Sequence, residues 1–201
     1  FGTRTSCVPE PIRPPVSRNT RSLPSRASAT PPGVQWRRVL DMEFGEYPDV
    51  QRAFVPVGCQ HCDDPPCVAA CPAGVFSKRP DGIVAVDSSK CYGARVCRIV
   101  CPYDAIEFID EIVPYGEKGF LPPEKYWYEK FEPGTAVKCD FCIDRLEEGL
   151  KPACVKTCPS EALKFGDLED PESEVSILIR QRGGQPLSPE LGTKPNVYYL
   201  T

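Results

Sequence analysis

An α+β fold of short strands and one-turn helices is what this sequence predicts, on three observations. The 201 residues include 24 prolines, which remove ladder donors and break long helices, so neither a helix bundle nor a large central sheet is expected. They include 12 cysteines, eleven of which fall into three tight groups. Each group ends in Cys-Pro, followed by a small or apolar pair: Val75-Phe76, Ala105-Ile106 and Ala162-Leu163. An internal repeat of this kind outranks local propensity as a guide to architecture.

The length suits one domain or two small ones. A hydrophobic share of 41% permits only a thin core. The formal charge of −4 and pI near 5.2 disfavour nucleic-acid binding, and a single histidine argues against His-based catalysis. No apolar run approaches the roughly 18 residues of a membrane span. The charge is uneven. Residues 1–33 hold five Arg, one Glu and seven Pro, leaving −8 on the remainder. This stretch reads as an irregular N-terminal segment. It has no apolar core of a secretory signal, and its prolines oppose the amphipathic helix of a transit peptide.

From residue 34 the elements follow in order. Trp36–Leu40 and Ala53–Val57 read as a hairpin around Tyr47-Pro48. The first group is Cys59-Gln-His-Cys62-x4-Cys67-x3-Cys71-Pro72, with Pro66 suited to open a helix at Cys67. Gly82–Asp87 alternates after Asp81-Gly82 and reads as a strand. The second group is Cys91-Tyr-Gly-Ala94-Arg-Val-Cys97-x3-Cys101-Pro102, and Ile106–Ile109 reads as the strand behind it. Val113–Lys138, with Gly, Pro and six aromatics, reads as a loop that wraps the cysteine groups or docks a partner. The third group is Cys139-x2-Cys142-x11-Cys154-x3-Cys158-Pro159. Within it Ile143, Leu146 and Leu150 have helical spacing suited to core packing, with Gly149 at the helix end and Pro152 opening a second helix. Leu163–Phe165 is the matching strand, and residues 181–201 read as extended, with Tyr198 and Tyr199 docking on another surface. The expected units are 1–33, a module over 34–110, an aromatic-rich insertion over 111–138, a second module over 139–180 and a tail over 181–201.

Three chemistries compete for the cysteines. Disulfides suit small secreted scaffolds, but spacings of three and four crowd thiols together instead of bridging distant elements. Structural zinc closes four ligands on one ion, and the third group alone supplies four, but zinc leaves the repeated Cys-x3-Cys-Pro unexplained. Iron–sulfur clusters explain it. A run of Cys-x2-Cys-x2-Cys-x3-Cys-Pro marks paired ferredoxin clusters, its fourth cysteine serving the other cluster. In Cys-x3-Cys the thiols lie one helical turn apart on one face, so one short helix can serve two neighbouring clusters. His61 reads as a solvent-exposed residue or a charge that tunes its cluster. Lys78, Arg79, Lys90, Arg95 and Arg98 read as a solvated face or as charges that tune the same cluster.

On these motifs the chain resembles the iron–sulfur subunits of molybdopterin oxidoreductases, the dimethyl sulfoxide reductase family. Asp63-Asp-Pro-Pro-Cys67-Val, Asp81-Gly-Ile-Val, Lys151-Pro-Ala-Cys154-Val and Phe165-Gly-Asp-Leu carry the resemblance. Pro31-Pro-Gly-Val34, Gly192-Thr-Lys-Pro195 and Tyr198-Tyr-Leu200 are most similar to polysulfide and thiosulfate reductase relatives. The resemblance implies tandem ferredoxin-like modules around three or four [4Fe-4S] clusters. It implies that Cys59, Cys62, Cys67 and Cys101 hold one, and Cys91, Cys97 and Cys71 the next. It implies that Cys139, Cys142 and Cys154 hold a third with an N-terminal cysteine, and that Cys158 completes a fourth.

Two departures matter. Ala94 stands where the family has a cysteine, which opens the second site to a [3Fe-4S] cluster or a ligand such as water. The family's N-terminal four-cysteine motif is absent and only Cys7 remains, so either the chain carries fewer clusters or residues 1–30 are misread. There is no nucleophile constellation and no phosphate-binding loop. The expected role is therefore non-catalytic electron transfer between a molybdopterin (Mo or W) catalytic subunit and a membrane or soluble redox partner. An integral membrane quinone-reactive subunit is one such partner. The implied location is peripheral at a membrane, on its periplasmic or cytoplasmic face. A stand-alone polyferredoxin and a zinc-bound structural protein are the alternatives.

Overall fold

Three copies of one turn organise the chain. In each, the carbonyl of the cysteine in Cys-Pro accepts from the residue three positions on: Gly74 N–H to Cys71 at 3.2 Å, Asp104 to Cys101 at 3.3 Å and Glu161 to Cys158 at 3.2 Å. That third residue takes a left-handed backbone in every copy, with φ of 62°, 47° and 52°. A one-turn helix precedes each turn and a short strand follows it. The computed structural model describes residues 4–7 (backbone only), 34–114 and 119–200.

In chain order the elements begin with β1 (Arg4–Cys7), β2 (Arg37–Phe44) and β3 (Gln51–Gly58). Next come α1 (Pro66–Ala70), β4 (Phe76–Lys78), β5 (Val84–Val86), α2 (Val96–Val100) and β6 (Glu107–Ile109). They continue through α3 (Pro122–Tyr128), β7 (Thr135–Val137), α4 (Ile143–Glu147), α5 (Ala153–Thr157) and β8 (Leu163–Gly166). Last are α6 (Glu174–Arg182), β9 (Gln185–Pro186) and β10 (Tyr198–Tyr199).

The hairpin forms as its alternation requires. β2 and β3 pair antiparallel with Leu40 opposite Val55, and Val55 and Val57 point into the core. Phe54 and Val39 face outward, where Arg52 pairs with Asp41 and lies over the Phe54 ring. The strands expected at 82–87, 106–109 and 163–165 are present, but they do not pair with one another. β5 pairs with β4 and β6 with β7, while β8 pairs with β1 in a sheet ordered β8-β1-β10-β9. β4 and β7 escape a pattern reading because no turn-bounded alternating run marks them, unlike Gly82–Asp87 around the equally short β5.

Two expectations are corrected. Val113–Lys138 is not simply a loop: it contains α3 and ends in β7, whose Thr135, Ala136 and Val137 are buried. Residues 181–201 are not extended throughout, and Tyr199 docks on the chain's own hairpin rather than on another surface. α6 runs to Arg182 between the Ser173 cap and Gly183, and the segment beyond folds back on its own chain. Val197 and Leu200 are buried, and Tyr199 donates to the Pro56 carbonyl at 3.2 Å. The remainder of 1–33 lies outside the described residues, but β1 is antiparallel to β8, with Cys7 opposite Leu163.

Candidate metal centres

Cysteines are built into two of the core clusters. One buried cluster joins Cys67 and Cys97 to Val75, Phe76, Val84, Ile106, Phe108 and Ala136, with Cys71, Cys91 and Cys101 against it. Another joins Cys62 to Tyr103 and Ala105, with Cys59 and Cys101 alongside. Two hollows pass through these clusters. Cys59, Cys62, Cys67 and Cys101 line one of about 340 Å³, together with Val84, Tyr103, Ile106 and Lys138. Cys71, Cys91 and Cys97 line the other, of about 290 Å³ and also partly open to solvent, with Ala94 at its wall.

The two one-turn helices make this exchange. Pro66 opens α1 with its fixed φ, and Cys67 falls on its first turn while Cys71 caps its end. α2 repeats the arrangement with Cys97 and Cys101. Each helix therefore offers its first thiol to the hollow of its own group and its last thiol to the other. The backbone also explains Ala94. His61, Gly93 and Phe141 all have positive φ, of 43°, 81° and 57°, and each is followed by the second position of its group: Cys62, Ala94 and Cys142. Ala94 thus occupies a thiol position without a thiol.

The third group lies beside the first. Cys139 is close enough to Cys59 for their charges to interact, as Cys142 is to Cys154. Arg37 on β2 donates to Cys154 Sγ at 3.5 Å. Cys158 stands apart near the surface, its Sγ 3.4 Å from Ser160 Oγ.

The donor set suits a polynuclear sulfur cluster better than one ion. All eleven cysteines are free of disulfides. Among the described residues no three His, Cys, Asp or Glu side chains converge as a single metal ion requires. The thiols surround hollows, and backbone N–H groups point at them: Val75 at Cys71 Sγ and Ala136 at Cys91 Sγ, both 3.4 Å. Such donors stabilise thiolate and sulfide charge. Without iron, burial dominates. It pushes the Cys62 thiol up to about 11 and those of Cys67 and Cys139 up to about 12, and it raises Cys97, Cys101 and Cys142. The Ser160 hydroxyl lowers Cys158 instead.

His61 differs from the solvent-exposed residue expected of it. It is fully buried and stacks on Phe141 with ring centroids 3.7 Å apart. Val84 N–H donates to its Nδ1 at 3.1 Å, which leaves the proton on Nε2. Burial, then the charges of Lys138 and Arg37, hold its pKa well below the usual value, against a weak opposing pull from the Cys139 backbone. In the iron-free chain these contacts favour the neutral ring. Nε2 has no hydrogen-bond partner among the described residues, a buried donor of the kind that sulfur can accept. The five surface cations are not simply solvated. Lys78 pairs with Asp63, Arg79 with Asp81 and Glu147, Lys90 with Asp87, Arg95 with Asp110 and Arg98 with Glu107.

Three contributors carry weaker sequence signals. Lys138 is 1% exposed, and its only signal is a charge ending a buried strand. Thr193 and Asn196 have no local signal because their partners are remote in sequence. Thr193 Oγ1 lies 2.6 Å from Tyr103 Oη, and Asn196 Nδ2 donates to the His61 carbonyl and to Asp63 Oδ1, both at 2.7 Å.

Residues 50–115 and 120–168 match the family model described as a 4Fe-4S dicluster domain. The chain is 42% identical over 186 residues to a selenate reductase subunit of Mesobacillus selenatarsenatis, covering 85% of this chain and 63% of that protein. It is 41% identical over 178 residues to a sulfite dehydrogenase subunit of Allochromatium vinosum, covering 85% and 65%. It is 36% identical over 195 residues to ArrB, the arsenate respiratory reductase iron-sulfur subunit of Shewanella sp. (strain ANA-3), covering 84% and 83%. The chain thus spans less than two thirds of the length of the first two.

Proposed function

The chain belongs to the 4Fe-4S dicluster family of iron–sulfur subunits, and on that footing we propose that it relays single electrons to or from a molybdopterin catalytic subunit. The observation that carries the reading is the exchange of last thiols between α1 and α2, which gathers Cys59, Cys62, Cys67 and Cys101 at one hollow and Cys71, Cys91 and Cys97 at the next. Bound iron–sulfur clusters supply reversible one-electron oxidation and reduction. The protein's part is to hold them adjacent, exclude water and fix the charge around them.

In this reading Cys59, Cys62, Cys67 and Cys101 hold a [4Fe-4S] cluster, and Cys71, Cys91 and Cys97 hold a [3Fe-4S] cluster because Ala94 offers no fourth thiolate. Cys139, Cys142 and Cys154 serve a third site, and Cys158 contributes to a fourth. The tandem modules and the insertion keep the boundaries given above, the insertion contributing α3 and β7 and the tail β9 and β10, while α6 carries the second module past residue 180 to Arg182.

A fixed partner is favoured over a freely diffusing polyferredoxin by the surface beside the second hollow. Tyr92 and Ile99 are 67% and 83% exposed there, with Val96 between them on that flank. Apolar side chains exposed beside a redox site suit a docking face. Among the described residues no helix is long and apolar enough to cross a membrane. The names of the relatives cover selenate, sulfite and arsenate chemistry, so the partner's substrate is a property of the partner.

Iron and sulfide quantification with electron paramagnetic resonance (EPR) tests the reading. The expected result is brown protein with two or more clusters, one paramagnetic when oxidised, that co-purifies with a larger molybdopterin subunit. Colourless protein holding stoichiometric zinc refutes it.

A further inference from the structure

Lys138 is the most deeply buried cation of the described residues, and nothing in the electron-relay reading requires it. It is 1% exposed, immediately after β7. Its Nζ donates to the Val84 carbonyl on β5 and, at 2.9 Å, to the Cys139 carbonyl. Among the described residues no carboxylate pairs with it. A buried ammonium without an anion is strongly disfavoured, and two carbonyl dipoles compensate it only in part. A neutral amide would bridge two carbonyls without that penalty. The anion is therefore to be sought in what lies next to the lysine.

That neighbour is the first hollow. Lys138 lines it with Cys59, Cys62, Cys67 and Cys101. Its charge favours the thiolates of Cys67 in that hollow and of Cys139 in the third group. An ammonium has three donors, and the two carbonyls take two. A four-thiolate cubane is a dianion when oxidised and a trianion when reduced, so a fixed cation at its wall favours the reduced form.

We propose that Lys138 is the buried counter-charge that raises the reduction potential of the cluster held by Cys59, Cys62, Cys67 and Cys101. The inference rests on the assignment of a cluster to that hollow. Lys138 is a positioning residue, since it acts on the potential and not on iron ligation. Its location between the first and third groups favours electron residence at the junction of the two.

The test is an EPR-monitored redox titration of the iron-loaded full chain with Lys138→Met, Lys138→Arg and the surface control Arg52→Met. In Lys138→Met the reduced-to-oxidised ratio of one [4Fe-4S] component at fixed potential falls at least tenfold, a downward shift of 59 mV or more for one electron. Lys138→Arg restores most of it, Arg52→Met leaves it unchanged, and the three-thiol site keeps its oxidised-state signal. Full iron content in Lys138→Met with unshifted potentials overturns the inference while leaving the relay reading intact. Wild-type protein that takes up no iron and sulfide overturns both. If Lys138→Met does not assemble clusters, wild-type protein carrying 15Nζ-lysine decides: nitrogen coupling to the reduced cluster in pulsed EPR supports the inference, and its absence overturns it.

Discussion

Ala94→Cys tests the second site most directly. Ala94 follows the positive-φ residue Gly93, as Cys62 follows His61 and Cys142 follows Phe141, so a cysteine there inherits a backbone already shaped to present a thiol. It lies on the wall of the hollow that holds Cys71, Cys91 and Cys97. Each iron of a cubane takes one thiolate. Three thiols leave one corner open, and a fourth closes it, so iron at this site rises from about three to about four per chain. The added thiolate also makes the reduced state harder to reach, lowering the potential by at least the ~59 mV of a tenfold shift. The assay is iron quantification with EPR of oxidised protein. The wild type gives the odd-electron signal of a three-iron cluster, and Ala94→Cys loses it. An oxidised wild type already silent at this site, unchanged by the substitution, means that another group closes the corner and refutes the three-iron reading.

The other expectations can be stated together. Cys101→Ser, although in the second group, depletes iron from the site of Cys59, Cys62 and Cys67 and spares the oxidised-state signal of the Cys71 site; the reverse pattern defeats the thiol exchange. Gly166→Ala brings a Cβ to 2.9 Å from Cγ2 of the stiff, buried Val175. It costs about 1–3 kcal/mol, read as a Tm loss of several degrees. Asn196→Ala removes the donors to the His61 carbonyl and Asp63, costs about 1–3 kcal/mol and accelerates loss of visible absorbance in air. For the iron-free chain, thiol pKa values raised to about 11 and about 12 give pH a definite sign. Above the unfolded thiol pKa near 8.5, the folded chain binds more protons than the unfolded one. Stability is therefore full below that value and falls as pH rises towards 12, which denaturant titrations from pH 8 to 11 would follow.

How legible this was depends on the range of the signal. The hairpin, the three one-turn helices and the strands behind the second and third Cys-Pro turns follow from spacing, because proline and cysteine act over a few residues. β4 and β7 carry no turn-bounded alternation that would mark them. α6, capped by Ser173 and ended by Gly183, lies where the sequence reading placed no helix. The back-folding of 193–200 onto residues 56–64 was beyond local pattern altogether. His61 shows the same limit: its position between Cys59 and Cys62 is visible in the sequence, but its burial depends on Phe141, Val84 and Lys138, far along the chain. The groups of thiols were legible, whereas the charges around them were not.

That difference follows from how the chain is built. Its helices are mostly of five residues and its strands of two to four outside the hairpin, each too small to persist alone. In two of the core clusters cysteines are among the side chains that join them, Cys67 and Cys97 in one and Cys62 in another. Where core and ligand set coincide, metal binding is part of folding free energy. Any substitution that loosens α1 against α2 then changes both stability and potential, because the same thiols define both. Residues such as Lys138 and Asn196, which touch the cysteine loops without supplying thiols, are where the two properties separate. Asn196→Ala alters loop anchoring and so acts mainly on lifetime. Lys138→Met alters charge and so acts mainly on potential. A chain in which both substitutions moved lifetime and potential in fixed proportion would show that the protein around the clusters has no independent control of either.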